Sequence, residues 1–261
     1  MAQTDSPYIP DPAIPKWPVI ASENYVAARR ALLEKEYALI NQVEEVAAER
    51  RKLLNGPIMP AYTFEEGPAD LSSNEQGHPV TLEELARPGD LSHTTLVVYH
   101  MMMEENAETP CSGCAMFVDG LNGVAKHLAQ RFNLAIIAKA PLPAIRAYAQ
   151  KRGWNDIRLL SSAGTTFNKD MNAEAVEWSE YKGQMPAISV FKHEKGEDDM
   201  EGTVRFWYQT MPHFGRKGGN EVIRGMDLLT VTWNIFDITP EGRGDWDPSN
   251  DYVEEWKGVK V

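Results

Sequence analysis

The chain has 261 residues, 43% of them hydrophobic and 25% charged, and a formal net charge of −12. That is an ordinary globular composition, long enough for one large domain with an extension. The negative charge argues against nucleic acid and anionic membranes as partners, because both are polyanions. The short basic cluster at Arg216 and Lys217 is too small to reverse it. No apolar run reaches the roughly 18 residues of a membrane span, so no transmembrane helix is expected. The opening MAQTDSPYIPDPAIPKWP lacks the basic and apolar regions of a secretory signal, and a cytoplasmic location is the expectation.

Prolines at 7, 10, 12, 15 and 18 forbid helix and predict an extended arm. Tyr8, Ile9, Ile14 and Trp17 give that arm apolar groups with which to dock, a second subunit being one candidate surface. A long helix is predicted from Glu23 to about Leu54, capped by Ser22 and stopped by Asn55-Gly56-Pro57. Val26, Leu33, Tyr37, Ile40, Val43 and Ala47 fall near one of its faces. The arm and helix (residues 1–60) read as an extension that packs or dimerises, and a homodimer is favoured. Residues 61–261 read as the main domain.

Residues 61–65 suggest a short strand, and Thr81 and Glu84 have the spacing of a capping box. TTLVVYHMM (94–102) is a buried-strand run, followed by a helix predicted over Cys114 to Arg131. LAIIAKA (134–140) is a second buried strand. Pro141 opens a helix to about Arg152, and IRLLSS (157–162) suggests a third strand. AISVFKHE (187–194) and TVRFWYQT (203–210) form a hairpin around KGEDDMEG, and a helix is predicted from Met226 to about Phe236. Strand, helix, strand, helix, hairpin, helix is the order of an α/β thioredoxin-like fold, a central mixed sheet flanked by helices.

Both cysteines stand in TPCSGCAMFVDG, as Cys111 and Cys114. A redox dithiol, part of a metal site and a buried structural pair all remain open for them. The position favours redox chemistry. At a helix N-terminus, unpaired N–H groups and the macrodipole stabilise a thiolate. The i, i+3 spacing puts both sulfurs on one face of the first turn. Cys111 would attack and Cys114 would resolve. A structural zinc site needs about four ligands, and His93, His100, His127, His193 and His213 form no second closely spaced pair, so no metal is expected. Met185-Pro186 precedes a strand where a cis-proline facing the dithiol is expected.

CSGCAMFVDGLNG, AKAPLPAIRAYAQKRGW, SSAGTTFNKDM, PAISVF and RGMDLLTVTWNIFDITPEGR together resemble the bacterial thioredoxin-like family catalogued as domain of unknown function 899. The resemblance implies a thioredoxin-like fold and leaves the activity undefined. Thioredoxin itself has a tryptophan before its motif and Gly-Pro inside it, whereas here Pro110 precedes and Ser112-Gly113 lie within. Peroxiredoxins place a threonine three residues before the reacting cysteine, but Thr109 is two before Cys111, which counts against that mechanism.

Other residues carry competing readings. His100 could shuttle a proton for Cys114 or sit satisfied in the interior. Lys139 could be a buried amine, though the solvated end of a strand is the preferred reading. Gly120 and Gly123, inside a predicted helix, are read as close backbone packing rather than substrate approach. SSAGTTFNKDM is read as a loop, with Phe167 and Asn168 candidates, beside Met185, to line the face opposite the dithiol. Phe206, Trp207, Tyr208, Trp233 and Phe236 are read as core. No phosphate-binding glycine loop is present, so no organic cofactor is expected.

The sequence therefore predicts a thioredoxin-like thiol–disulfide oxidoreductase, with Cys111, Cys114 and Pro186 as its catalytic set. Its partners would be a disulfide-containing protein or small thiol and a reductase. The alternatives are a non-catalytic binding or dimerisation module, and a thiol-dependent peroxide reductase.

Overall fold

The two strongest apolar runs become neighbours at the centre of one sheet. TLVVYHM forms β3 (Thr95–Met101) and NLAIIA forms β4 (Asn133–Ala138), paired in parallel with Val98 opposite Ala135. Every residue of β4 is buried, as a strand covered on both faces requires. Helix α3 (Ser112–Leu128) crosses between them, and α4 (Leu142–Arg152) leads from β4 to the parallel strand β5 (Arg158–Ser161). On the other side lies the hairpin of β6 (Ala187–Glu194) and β7 (Thr203–Thr210), with β6 antiparallel to β3. Strands β1 (Thr63–Glu66) and β2 (His78–Thr81) complete a seven-stranded sheet of order β2-β1-β5-β4-β3-β6-β7. A parallel β-α-β unit whose first strand also receives an antiparallel hairpin is the thioredoxin-like topology, and the chain has that fold.

This computed structural model describes residues 9, 15–87, 94–175, 177, 181–195, 202–213, 215–217 and 219–251, without the side chains of 221 and 222. Tyr8, Ile14 and His93, the prolines at 7, 10 and 12, and most of the predicted turn KGEDDMEG lie outside the described residues. The chain divides into two units, 1–54 and 55–261. In the first, α1 (Glu23–Arg51) starts where Ser22 Oγ accepts from the Tyr25 N–H and stops three residues short of Leu54. No residue of α1 is buried. Val26, Leu33, Tyr37 and Ala47 are half-buried, whereas Ile40 and Val43 are exposed.

The capping box forms as the spacing predicts. Thr81 Oγ1 accepts from the Glu84 N–H, and Glu84 accepts from the Thr81 N–H, opening α2 (Leu82–Ala86). Other readings are corrected. SSAGTTFNKDM is not all loop, since it holds one turn of helix, α5 (Phe167–Asp170). A ribbon of β8 (Gly215–Lys217) and β9 (Asn220–Val222) was not signalled by any alternation. The helix predicted over 226–236 is broken into a 3₁₀ turn at Asp227–Leu229 and α6 (Val231–Phe236). Thr230 between them is extended (φ −112°, ψ 101°), its hydroxyl donating to Met226 O at 2.9 Å.

Of the late aromatics, Phe206 packs against the core, on Phe191, while the other four are not in it. Phe206, Trp207 and Tyr208 are half-buried because β7 is the outermost strand on its side, flanked along part of its outer edge by residues 56–59. Trp233 and Phe236 pack with Trp246 in a partly exposed cluster, ring centroids 5.1–5.9 Å apart, with Arg243 over Trp233.

Each face of the sheet carries a core cluster. One gathers Tyr99, Met101, Cys114, Phe117, Ile136, Tyr148 and Trp154; the other gathers Phe64, Leu85, Val98, Ile137, Phe167 and Phe191. Phe167 is the hub of the second. It is fully buried, and its ring meets Tyr62, Phe64 and Phe191 with centroids 5.0, 4.9 and 6.2 Å away. Phe167→Ala is expected to cost about 3–5 kcal/mol, measured by urea unfolding. A loss below about 1 kcal/mol would contradict this packing role.

Candidate active site

Strand β3 delivers the chain to the dithiol, and its exit residue holds both cysteines. Met102 O accepts from the Cys111 N–H at 2.9 Å, and the Met102 N–H donates to Cys114 Sγ at 3.4 Å. The helix starts earlier than the sequence predicts, at Ser112 rather than Cys114, because Cys111 O accepts the first helical bond, from Ala115 N. Cys111 is therefore the N-cap residue and is exposed, while Cys114 sits one turn in and is buried.

The two thiols are driven in opposite directions. The Cys114 thiol donates to Cys111 Sγ, and this is the largest cause pulling the Cys111 pKa from its ordinary value near 9 down to about 5. Partial burial opposes the shift, and the backbone N–H groups of Cys114 and Gly113 reinforce it. That is the expected electrostatics of a helix N-terminus. Burial pushes the Cys114 thiol well up, and the neighbouring Cys111 sulfur raises it further. The Tyr99 hydroxyl, hydrogen-bonded to Cys114, pulls modestly the other way. At neutral pH, Cys111 is the thiolate and Cys114 the proton donor beside it.

Three further elements surround the pair. The stretch leading to β6 carries Gln184, Met185 and Pro186, all buried. The β3–β6 register ends with His100 opposite Ala187, so Pro186 immediately precedes the residue paired near the end of β3, the strand that feeds the dithiol. The Met185–Pro186 peptide is not cis, which corrects that expectation. The Met185 N–H donates to Ala173 O at 2.8 Å, and Pro186, which has no N–H to give, stands just ahead of the strand where the ladder asks nothing of it. Glu104 Oε1 accepts from the Gln184 N–H (2.7 Å) and the Tyr181 hydroxyl (3.2 Å). The Tyr181 pKa is raised by burial and by the neighbouring Glu104 carboxylate.

The third element was unsignalled in the sequence. Asn250 donates to Pro110 O at 2.9 Å and accepts from the Tyr148 hydroxyl at 2.8 Å. Its carbonyl also accepts from Arg152. Residues 246–251 are thereby tied across the motif. A Cβ placed on Gly113 would stand 3.8 Å from Cys111 Sγ and 3.9 Å from Pro248 Cγ. Tyr99, Met102 and Asn250 were missed because each acts through position in the fold, which no local pattern of WDPSND or VVYHMM announces.

Several candidates lie elsewhere. Phe167 and Asn168 are both buried. Asn168 accepts from Ser162 at 2.6 Å and donates to Gln184 at 2.7 Å, a fully internal chain. His100 takes the interior role. Successive strand residues point to opposite faces, so with Tyr99 packed beside Cys114 and Phe117, His100 faces the other core and stacks on Phe167 at 5.2 Å. Its Nε2 pairs with Ser189 Oγ at 2.8 Å, and burial lowers its pKa to about 3. Lys139 does not mark a solvated end: it is buried, its amine donating to Thr165 O (3.1 Å) and Glu174 (3.2 Å). Among the described residues, no group of three or more His, Cys, Asp or Glu side chains is gathered as a metal ion would need.

The two helix glycines overturn the packing reading. A Cβ on Gly120 or Gly123 would meet nothing within 4 Å. Each costs the helix about 1 kcal/mol relative to alanine without any backbone approaching it. Both border a cavity of about 820 Å³ beside α3.

Residues 14–257 match the family described as "Bacterial protein of unknown function (DUF899)". The chain belongs to this family. A comparison with curated proteins finds no match. Among solved structures, it is similar to the reduced 2-Cys peroxiredoxin of Plasmodium vivax at 14% identity and a TM-score of 0.43, covering 69% of this chain and 94% of that one. It is also similar to Enterococcus faecalis AhpC at 11% identity and a TM-score of 0.42, covering 75% and 99%. The match to peroxidoxin BcpB of Mycobacterium tuberculosis has 14% identity and a TM-score of 0.39, covering 68% and 94%. Among the described residues of this DUF899 chain, no helix is long and apolar enough to cross a membrane.

Proposed function

We propose that this DUF899 protein is a thiol–disulfide oxidoreductase working through Cys111 and Cys114. The observation that carries the reading is the asymmetry of the pair: an exposed thiolate-forming Cys111 next to a buried Cys114 that holds a proton. A bare structural pair needs no such division. In the reaction, Cys111 Sγ attacks one sulfur of a substrate disulfide. A Cys111–substrate disulfide forms, the substrate S–S bond breaks, and the departing thiolate takes up a proton. Cys114 then loses its proton and attacks Cys111 Sγ, releasing the second substrate thiol. The substrate gains two electrons, the protein is left with a Cys111–Cys114 disulfide, and an external dithiol or a reductase restores it. Pro186, beside the strand exit, presents no N–H of its own to compete with substrate backbone.

The test is the pH profile of alkylation with each site read by mass. Cys111 is expected to titrate with a midpoint near 5, with Cys114 unmodified in the folded protein. A midpoint near 9, or equal labelling of both cysteines, would overturn the reading.

A further inference from the structure

The cavity beside α3 is lined on that helix from Met116, two residues past the motif, to Gly123. Met116, Gly120 and Gly123 recur at intervals of four and three, with Phe117 beside them, so they share one face of the helix. From Met116 to Gly123 that face runs about 10 Å. Opposite it stand Leu229, Val231, Trp246 and Pro248, with the charged Asp119, Arg152, Asp247 and Asp251 also on the lining, and the half-open space is about 820 Å³. Leu229, Val231 and Trp246 are 51%, 65% and 45% exposed, large apolar side chains held around an opening rather than packed into it. Such a size and lining suit an apolar group of small-molecule or side-chain dimensions. Pro248, which lines the cavity, comes near Gly113: a Cβ placed there would stand 3.9 Å from Pro248 Cγ and 3.8 Å from Cys111 Sγ.

We infer that this cavity receives a bulky apolar group flanking the disulfide of the substrate, so that the protein prefers disulfides with a large apolar neighbour. The inference rests on the exchange role of Cys111 and Cys114 and names its substrate class. Continuity decides the occupant: Met116, the first cavity residue on α3, follows Cys114 by two positions, and Pro248 of the cavity wall comes near Gly113 beside Cys111. The glycines fit this use, since any side chain at 120 or 123 would project into the space.

The experiment uses two neutral synthetic peptide dimers, each joined by one disulfide and differing in whether phenylalanine or glycine adjoins the cysteine. Reduction of each by the full chain is followed by mass. The phenylalanine dimer is expected to react about tenfold faster or more in kcat/KM. Gly123→Leu, whose side chain enters open space, is expected to bring the ratio towards one. Equal rates for both dimers in the wild-type protein would overturn the inference while leaving the exchange role standing. Reaction of neither would overturn both. Equal rates in the full chain, with discrimination in a chain ending at Asp251, would assign the cavity to the chain's own last ten residues and equally overturn it.

Discussion

Cys111→Ser is expected to slow reduction of an aromatic disulfide on the order of a thousandfold or more, whereas Cys114→Ser should leave the first attack and lose the second. The difference follows from where the sulfurs sit. Cys111 is exposed at the helix cap and Cys114 is buried beneath it, so an incoming disulfide meets Cys111 first. Serine cannot form an oxyanion at neutral pH in place of the thiolate. The wild-type chain should release two chromogenic thiols and end as an internal disulfide. The Cys114→Ser chain should release one and keep the other half of the reagent as a mixed disulfide visible by intact mass. Attack through Cys114 in the Cys111→Ser chain, at a rate near wild type, would show that the roles are reversed.

Cys114→Ala should move the pH midpoint of Cys111 alkylation upward from about 5 towards the ordinary thiol value near 9. The sign follows from the dominant cause. The Cys114 thiol donates a hydrogen bond to Cys111 Sγ, which favours the charged form and depresses the pKa. Alanine removes that donor but keeps the helix N-terminus and the N–H groups of Gly113 and Cys114, so the rise should be large but incomplete. Cys111 would then be mostly protonated, and so less reactive, over the acidic pH range in which the wild-type thiol is already ionised. An unmoved midpoint would assign the depression to the backbone alone.

The parts of this molecule that were legible in the sequence are those with a period or a punctuation mark. TLVVYHM and NLAIIA announce buried strands through unbroken β-branched and apolar runs, and Thr81 with Glu84 announces a cap through spacing. The position of CSGC between the first strand and its helix was legible for the same reason. The start of α3 was not, because cysteine is no ordinary N-cap residue and its role depends on Met102 holding it in place. Strand β2 and helix α5 are too short to show a period. Phe167 and Asn168 carry ordinary loop chemistry in the sequence, and only the sheet above them makes them interior. Gly120 and Gly123 look like packing glycines until the space around them is known. Residues 246–251 reach the dithiol by long-range bonds from Asn250 to Pro110 and Tyr148, which no local signal encodes.

The central claim is that Cys111 and Cys114 form a working two-electron couple. The most direct measurement is a redox titration: the protein is equilibrated across glutathione ratios, acid-quenched, alkylated, and its free thiols counted by intact mass. A thiolate stabilised at a pKa of about 5 favours the reduced form. The account therefore predicts one transition from two free thiols to none. Its potential should lie between about −270 mV, where a motif thiol with a pKa near 7 falls, and about −120 mV, where one near 3.5 falls. Thiols that stay reduced across the whole range, or a transition through a stable singly alkylated species, would contradict it.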